Sequence, residues 1–292
     1  MALPRFDYVT AHSLEEAGNL AAELGDKCVV LAGGTDVIVA MKDRLRKPEH
    51  VLDIKRIPGI DRLEYVPGEG LKIGALTTLR TIETSKIVKA KFSALADAAH
   101  YVASVQVRAR GTMAGNICNA SPSADTAPIL IVLNATVKTF RISPDQGRTI
   151  PIGEFFRGVG KTVLASGEIV TEIGIPDMLA GECAAYLKHS VRKAMDLAIV
   201  GVAAWLKMDG RKCVDCRIAL GAVAPTPIRT AKAEKILIGR KLTDELIEQA
   251  GVAASDDCSP ISDIRASAEY RCDMVRVFTK RAIKRALETN KA

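Results

Sequence analysis

Apolar and polar positions in the first third of the chain repeat with two periods, which predict strands and a helix. Residues 1–26 are predicted to form a short strand and then a helix capped by Ser13 and ended by Gly25. The helical spacing is carried by Leu14, Ala17, Leu20, Ala21 and Leu24. The apolar runs Cys28–Leu31 and Val51–Ile54 are typical of buried strands, and Val37–Met41 is predicted to begin a helix.

The middle of the chain alternates in a way that predicts a hairpin and two longer strands around helices. Leu63–Val66 and Leu71–Ala75 flank a Pro-Gly turn and form the hairpin. A helix over Ala127–Leu133 has a proline in its first turn, where proline is tolerated. Val137–Ile142 is predicted to be an edge strand, and Gly167–Pro176 another strand. A further helix before them has one apolar face formed by Phe92, Leu95, Ala96 and Ala99.

The composition changes at Pro176–Glu182, where we place a domain boundary. Beyond it, three strand-like runs precede three helical stretches, and this order predicts an α+β domain with an antiparallel sheet. The runs are Ala184–His189, Ile199–Met208 and Val214–Val223, and the helical stretches are Thr230–Leu237, Thr243–Ala254 and about Ser267–Leu287.

Two segments rich in small residues have few side chains that fill a core. Ala32–Asp36 follows an apolar strand directly, and Thr112–Thr126 combines hydroxyls and amides with one carboxylate, Asp125. Such a backbone lets a ligand approach closely, and its N–H groups can bind an anion. The alternatives are a tight turn that needs positive φ at Gly33 or Gly34 and, for Thr112–Thr126, a buried loop that caps a helix. Neither of the common nucleotide motifs, GxGxxG or GxxxxGK[ST], is present.

Composition narrows the class of protein. Hydrophobic residues make up 48% of the 292 positions, which is enough for a substantial core, while 4% aromatics argue against a stacking surface for single-stranded nucleic acid. A net charge of +7 favours an anionic ligand or an acidic partner, and we expect no nucleic-acid partner. We expect no secretory signal and no membrane span, since no apolar run approaches about 18 residues.

The cysteines and histidines give no pattern of a metal site. Seven dispersed cysteines predict reduced thiols and a cytoplasmic location. Cys213-Val214-Asp215-Cys216 has the spacing of half a zinc or redox site, but it lies in an alternating run and is interpreted as two strand cysteines. We expect no catalytic side chain and no metal ligand in this chain.

Taken together and in order, the two small-residue segments resemble the paired flavin-binding loops of the molybdenum hydroxylase family. More narrowly, the chain resembles the FAD-binding (medium) subunit of xanthine dehydrogenase-like and carbon monoxide dehydrogenase-like enzymes. The resemblance runs almost from end to end. It also covers Gly115–Thr126, Tyr186–His189 with Arg192, Asp196–Val200, Ala219–Arg229 and Ile264–Tyr270.

The resemblance implies an α+β fold with two domains. Residues 1–176 would form a two-subdomain FAD-binding domain of the p-cresol methylhydroxylase/vanillyl-alcohol oxidase type, divided at about 1–56 and 57–176. Residues 182–290 would form a C-terminal domain of the CO dehydrogenase flavoprotein type, with an antiparallel sheet and helices.

The resemblance also implies where FAD is held. The pyrophosphate would lie on the N–H groups of Ala32–Asp36 and Thr112–Asn116, neither of which contains a lysine. Asp125 would hold the adenosine end and Lys188 would lie near the flavin, although Lys188 could instead be an exposed strand lysine. Tyr186 could pack on the ring, and Asp196–Ala198 would close the pocket with backbone. The implied cofactor-binding residues are Leu31, Ala32, Gly33, Gly34, Thr35, Asp36, Val37, Thr112, Ala114, Gly115, Asn116, Cys118, Asn119, Ser121, Asp125, Val170, Tyr186 and Lys188.

The function implied is electron transfer within a molybdenum-containing hydroxylase. A [2Fe–2S] subunit and a molybdopterin subunit would be partners, because the chain carries no plant-type [2Fe–2S] cysteine pattern and is too short for a molybdopterin domain. The electron acceptor would be NAD or another molecule. Two alternatives remain open: a self-standing flavin oxidase of the same superfamily, and a nucleotide-binding module without redox activity. A redox role for Cys118 also stays open.

Overall fold

The computed structural model describes residues 2–142 and 147–289 of the chain. Its strands are, in chain order, β1 Asp7–Thr10, β2 Cys28–Leu31, β3 His50–Asp53, β4 Leu63–Val66, β5 Gly70–Gly74, β6 Thr136–Phe140, β7 Thr149–Pro151, β8 Phe156–Gly158, β9 Lys161–Thr162, β10 Ile169–Ile175, β11 Glu182–His189, β12 Val200–Asp209, β13 Lys212–Gly221 and β14 Ile228–Arg229. Its α-helices are α1 Leu14–Leu24, α2 Val37–Lys42, α3 Leu79–Thr84, α4 Lys86–Lys91, α5 Ser93–Tyr101, α6 Val105–Arg108, α7 Met113–Cys118, α8 Thr126–Val132, α9 Ala231–Leu237, α10 Asp244–Ser255 and α11 Ala268–Thr289.

The first three strands form a parallel sheet in the order β1-β3-β2, which makes β2 an edge. Parallel neighbours need crossover connections, and here α1 and α2 supply them. The predicted cap of α1 is confirmed, because the Ser13 hydroxyl accepts the N–H of Glu16 and Gly25 ends the helix with φ +52°. The predicted strand-turn-helix unit over residues 28–42 is also confirmed.

A five-stranded antiparallel sheet follows, in the order β4-β5-β10-β6-β7. The β4–β5 hairpin is as predicted. The prediction of an edge strand at Val137–Ile142 is wrong, because β6 lies between β10 and β7. The edge is β7, a strand of three residues whose pairing could not be read from local alternation. The core of this part lies between the sheet and helices α3, α5, α7 and α8.

The C-terminal sheet has the order β11-β12-β13-β14 and is antiparallel, as predicted. Helices α9 and α11 pack on one of its faces with α10 packed against both of them, and α5 and α8 pack on the other face. Both faces are therefore buried, and residues 200–206 of β12 are buried without interruption. Alternate residues of this strand belong to two different cores. Ala203 and Trp205 belong to the core that also contains the five-stranded sheet, and Val202 and Ala204 belong to the core between the C-terminal sheet and its own helices.

Cys213 and Cys216 are strand residues, as the sequence interpretation has it. A register shift opposite Lys207 and Met208 inserts one extra residue in β13. Residues three apart on a strand normally face opposite sides, but the bulge restores Cys213 and Cys216 to the same side. Both thiols consequently lie fully buried in the C-terminal core.

Candidate functional site

A cleft of about 630 Å³ opens between the edge strand β2, the segment from Val102 to Asp125 and the loop that joins β11 to β12. It falls within the roughly 300–1,000 Å³ typical of ligand pockets. Most of the residues that the sequence singles out as cofactor-binding line it: Ala32, Gly33, Gly34, Thr35, Asp36, Val37, Thr112, Gly115, Asn116, Cys118, Asn119, Ser121 and Asp125. The two small-residue segments, far apart in sequence, thus form one wall.

At Gly33 the first segment touches the two residues that come directly before the second, Arg110 and Gly111. A Cβ atom there would overlap the carbonyl oxygen of Arg110 and lie 2.8 Å from the Cα of Gly111. Gly33 therefore lets two backbones meet with no side chain between them. The next residue, Gly34, has φ +80°, so the predicted need for positive φ in this turn is confirmed.

The first segment presents free backbone donors. Within the described residues, the N–H groups of residues 33–37 donate to no acceptor. Asp36 precedes α2 without a side-chain capping bond, so it does not occupy the donors that follow it. A run of consecutive unpartnered N–H groups is the arrangement that binds anionic oxygens.

The second segment differs from the sequence expectation. A short helix, α7, occupies six residues of the segment that the small residues suggested was loop. The N–H of Gly115 bonds the Thr112 hydroxyl at 2.9 Å, that of Asn116 bonds the Thr112 carbonyl, and that of Met113 reaches Thr77. These three donors are not free for a ligand. Among the described residues, the N–H groups of Thr112 and Ala114 donate to no acceptor, so this wall offers those two groups beside its hydroxyl and amide side chains.

Asp125 lies at the bottom of the wall and is bound by the C-terminal sheet. Its Oδ1 accepts the Tyr186 hydroxyl at 2.8 Å, and its Oδ2 lies 2.9 Å from the Lys188 Nζ. Burial raises the pKa of Asp125, and the charge and hydrogen bonds from Lys188 and Tyr186 offset only part of this rise. The ion pair joins the N-terminal end of α8, which Asp125 precedes, to β11 across the two parts of the chain.

Lys188 is neither an exposed lysine nor a cation presented to the cleft. Its side chain is 4% exposed. Its three protons are used by Asp125, by the carbonyl of Tyr101 at 3.1 Å and by the carbonyl of Asp196 at 2.7 Å. Tyr186 is likewise buried, against Asp125 and in edge contact with the Tyr101 ring. Neither residue lines the cleft; both support residues that do.

Three other predicted residues stand behind the wall. Leu31, Ala114 and Val170 are each less than a tenth exposed and belong to the apolar cores. Their contribution is to packing beneath the cleft-lining backbone.

Burial also sets the chemistry of two polar residues in the cleft. Desolvation raises the pKa of the Cys118 thiol to about 12, so it stays protonated at neutral pH. Asp36 is reached by solvent, yet the concave wall around it raises its pKa, and Arg46 offsets this only in part.

Sequence reasoning missed the outer rim of the cleft. Ala103 and Met195 both line it, and both adopt a left-handed backbone with φ +44° and +52°. The N–H of Met195 reaches the carbonyl of Ala103 at 3.4 Å, which closes the rim between the two parts of the chain. Alanine and methionine carry no sequence signal for this conformation, which is uncommon outside glycine. The predicted participation of Asp196 and Leu197 agrees with their place in the cleft wall.

A buried ionic cluster fixes the loop that carries this rim. Arg108 donates to both oxygens of Glu83, at 2.9 and 3.2 Å, and to the carbonyl of Val102. Burial opposes ionisation of Glu83, but hydrogen bonds from Arg108, His100 and Arg80 outweigh it and lower its pKa to about 2. Glu83 thereby ties α3 to the loop containing Val102 and Ala103.

We expect Glu83→Gln to be less stable than the wild type, by an amount that depends on pH. The pKa of Glu83 is lower in the folded protein than in the unfolded chain. The stabilisation that ionised Glu83 provides is therefore complete above the ordinary pKa near 4.5, and it is lost as the pH falls toward 2. The stability difference between wild type and Glu83→Gln should therefore shrink by about 3 kcal/mol between pH 6 and pH 2. Urea unfolding at both pH values measures it, and a difference independent of pH would contradict the role assigned to Glu83.

The described residues contain neither a cluster of metal-ligating side chains nor a helix suited to span a membrane. No group of three or more His, Cys, Asp or Glu side chains within residues 2–142 and 147–289 could hold a metal ion. None of the helices in those ranges combines the length and the apolarity that crossing a membrane requires.

Comparison with known proteins finds similarity over almost the whole chain. The family model of the FAD binding domain in molybdopterin dehydrogenase matches residues 4–178, and that of the CO dehydrogenase flavoprotein C-terminal domain matches residues 185–286. The chain is 38% identical to the glyceraldehyde dehydrogenase medium chain of Sulfolobus acidocaldarius, covering 96% of this chain and 98% of the relative. It is 32% identical to the xanthine dehydrogenase FAD-binding subunit of Escherichia coli O157:H7, with 97% of each covered.

A solved structure has the same fold. It is that of a carbon monoxide dehydrogenase from Hydrogenophaga pseudoflava that lacks the Mo-pyranopterin moiety of its molybdenum cofactor. The match has a TM-score of 0.95 at 36% identity and covers 99% of both chains.

Proposed function

Because the chain belongs to the family of FAD-binding subunits of molybdenum hydroxylases, we propose that it transfers electrons inside a larger complex. It would receive them from the [2Fe–2S] clusters of a partner subunit and pass them through FAD to NAD or another acceptor. FAD is the cofactor of the family, and its members are FAD-dependent oxidoreductase subunits. The family suggested by the two small-residue segments is thus confirmed.

The observation that carries the proposal is the run of unpartnered N–H groups at residues 33–37, which lies on the cleft wall. The wall suits a dinucleotide pyrophosphate, because fixed backbone dipoles can meet its negative oxygens without a lysine. A side chain at position 33 would block the close approach of the first segment to Arg110 and Gly111, which lead into the second. The residues present therefore fit FAD.

We assign different roles to the two segments. Ala32–Val37 would bind the pyrophosphate through backbone N–H groups. Thr112, Asn116 and Ser121 would hydrogen-bond polar groups of the cofactor through their side chains. Asp125 lines the cleft and retains lone pairs for a ribose hydroxyl, although each carboxylate oxygen already accepts one bond.

The rim of the cleft has the character that an isoalloxazine ring requires. Exposed apolar side chains stand along it: Val30, Val39, Leu45, Met195 and Leu197. Bound FAD supplies the two-electron chemistry, while the protein supplies orientation and electrostatics. We propose that Lys188 influences the flavin only through Asp125 and the carbonyl of Asp196, because its protons are already used.

The finer architecture is also a proposal. The separate three-stranded and five-stranded sheets on either side of Ile54 support two subdomains of the p-cresol methylhydroxylase type, divided near residue 56. The connection between β10 and β11 supports a boundary between 176 and 182. A cytoplasmic location stays a prediction from the cysteine pattern.

The partner subunits are proposed from the relatives. The relative from Sulfolobus acidocaldarius is called a medium chain, and the one from Escherichia coli is called an FAD-binding subunit. Purifying the tagged chain from its native host tests the proposal. We expect it to carry FAD and to bring down one subunit with [2Fe–2S] clusters and one with molybdenum. A yellow protein that purifies alone and is reduced directly by a small organic substrate would favour the self-standing oxidase, and a chain that binds no FAD would overturn the proposal.

The acceptor can be tested on the FAD-loaded chain by itself. After anaerobic reduction with dithionite, mixing with NAD should restore the visible absorbance of oxidised flavin and form NADH. If the absorbance of oxidised flavin returns with ferricyanide but not with NAD, the physiological electron acceptor is a molecule other than NAD.

A further inference from the structure

Two cysteines outside the cleft lie in contact at the far side of the C-terminal sheet. Cys258 follows α10, and Cys272 is in the second turn of α11. Their Sγ atoms are 3.0 Å apart, so one thiol hydrogen-bonds the other. Neither residue lines the cleft, and the proposed function uses neither.

The backbone on both sides of the pair is held in place. The Cys258 thiol also reaches the carbonyl of Ser255 at 3.0 Å, and the N–H of the next residue, Ser259, bonds the carbonyl of Val223. Beside Cys272, the buried Arg271 donates to the carbonyl of Ile199 at 2.8 Å and to Asp263 at 2.8 Å. The two sulfurs are thus fixed side by side by contacts with the sheet.

The pair differs from the other adjacent thiols of the chain in its access to solvent. Cys258 and Cys272 are half-buried, and each residue keeps part of its surface in solvent. Cys213 and Cys216 are fully buried between the sheet and its helices. A disulfide bond is about 2.05 Å long, so Cys258 and Cys272 need to approach by only about 1 Å to form one.

We propose that Cys258 and Cys272 are a modification site, which takes up a reversible disulfide bond by exchange with a low-molecular-weight disulfide such as oxidised glutathione. The thiolate of one cysteine attacks a glutathione sulfur and releases one glutathione as thiol. The second cysteine then attacks the resulting mixed disulfide and releases the other. Two protein thiols are oxidised and one glutathione disulfide is reduced to two thiols, so atoms and electrons balance.

The bond would close the segment between residues 258 and 272. This segment contains Asp263, which holds Arg271, and the exposed Ile261 and Ile264. Closing such a loop stabilises a protein chiefly by restricting the unfolded chain. Burial and the neighbouring Cys272 thiol raise the pKa of Cys258 to about 12, so we expect exchange to be slow at neutral pH and faster in alkaline buffer.

The whole FAD-loaded chain serves for the test. It is incubated with oxidised glutathione at pH 8.5, alkylated in denaturant and digested with trypsin. Cleavage after Arg265 and Arg271 separates the two cysteines, so the bond joins peptide 242–265 to peptide 272–276. We expect this cross-linked species to predominate, to disappear with dithiothreitol and to raise Tm by about 5 °C.

Matched variants make the result decisive. Cys258→Ser and Cys272→Ser should each lose both the cross-link and the rise in Tm. The peptide 213–217, which holds both Cys213 and Cys216, should remain fully alkylated as the internal control. If Cys258 and Cys272 are recovered as free thiols or only as separate glutathione adducts, the proposal is overturned. It is also overturned if the cross-linked peptide forms without any rise in Tm.

Discussion

Gly33→Ala is expected to bind FAD about 10- to 100-fold more weakly than the wild type. The new Cβ would overlap the carbonyl oxygen of Arg110, and a backbone atom cannot rotate away as a side-chain end can. Overpacking of this kind costs about 1–3 kcal/mol, and about 1.4 kcal/mol corresponds to a tenfold change in affinity. The turn at Gly33 must move away from Arg110 and Gly111, which displaces the free N–H groups of residues 33–37. Titration of the apoprotein with FAD, followed by quenching of flavin fluorescence, measures the loss.

The control is another glycine replaced in the same way. Gly153 has ordinary backbone angles, and a Cβ there would meet no atom within 4 Å. Gly153→Ala should bind FAD as the wild type does. Circular dichroism shows whether Gly33→Ala remains folded. A folded Gly33→Ala protein with wild-type affinity would refute the proposed contact between the two segments and the cofactor.

Lys188→Met is expected to destabilise the chain by about 3–5 kcal/mol, the cost of leaving a buried charge without its partner. Asp125 would remain buried and lose the cation 2.9 Å away. Its pKa is already raised by burial and would rise further. A carboxyl whose folded pKa exceeds the unfolded value binds its proton more tightly in the folded state. Stability therefore falls as the pH rises from the unfolded value near 4 through the folded one.

Urea unfolding at pH 5 and pH 8 tests this directly. Lys188→Met should lose more stability than the wild type between these pH values. The double variant Asp125→Asn/Lys188→Met removes both charges and should recover much of the loss. A double variant no more stable than Lys188→Met would show that the lost packing of the lysine stem, and not the uncompensated carboxylate, sets the cost.

The sequence predicted those elements whose causes are local. The helix after Ser13 is specified by its own apolar spacing, its cap and Gly25, and the three C-terminal strands by their long apolar runs. The place of β6 within its sheet was wrong, because it depends on a neighbour, β7, that is only three residues long. Alternation describes the two faces of a strand and says nothing of which strands flank it.

The candidate site was predictable where small residues mark it and unpredictable where distant parts of the chain meet. The lack of side chains at Gly33 and Gly34 is visible in the sequence. Helix α7 was missed because Thr112, Gly115 and Asn116 are weak helix formers, and the capping bond from Thr112 appears only in the structure. The partner of Lys188 is Asp125, which lies 63 residues away directly before α8. The spacing on β11 places Lys188 on the same face as Tyr186, but it gives no sign that Lys188 is buried against Asp125.

The sheet with two buried faces has a consequence for how the chain can vary. The FAD-binding family model ends at residue 178 and the C-terminal family model begins at residue 185. Ala203 and Trp205 lie well inside the C-terminal match, yet they complete the core of the FAD-binding part. Inserting one residue in β12 would exchange the side chains offered to the two cores at every later position of the strand. The two halves therefore cannot evolve as independent modules: a change of volume at Trp205 must be accommodated by helices encoded before the boundary.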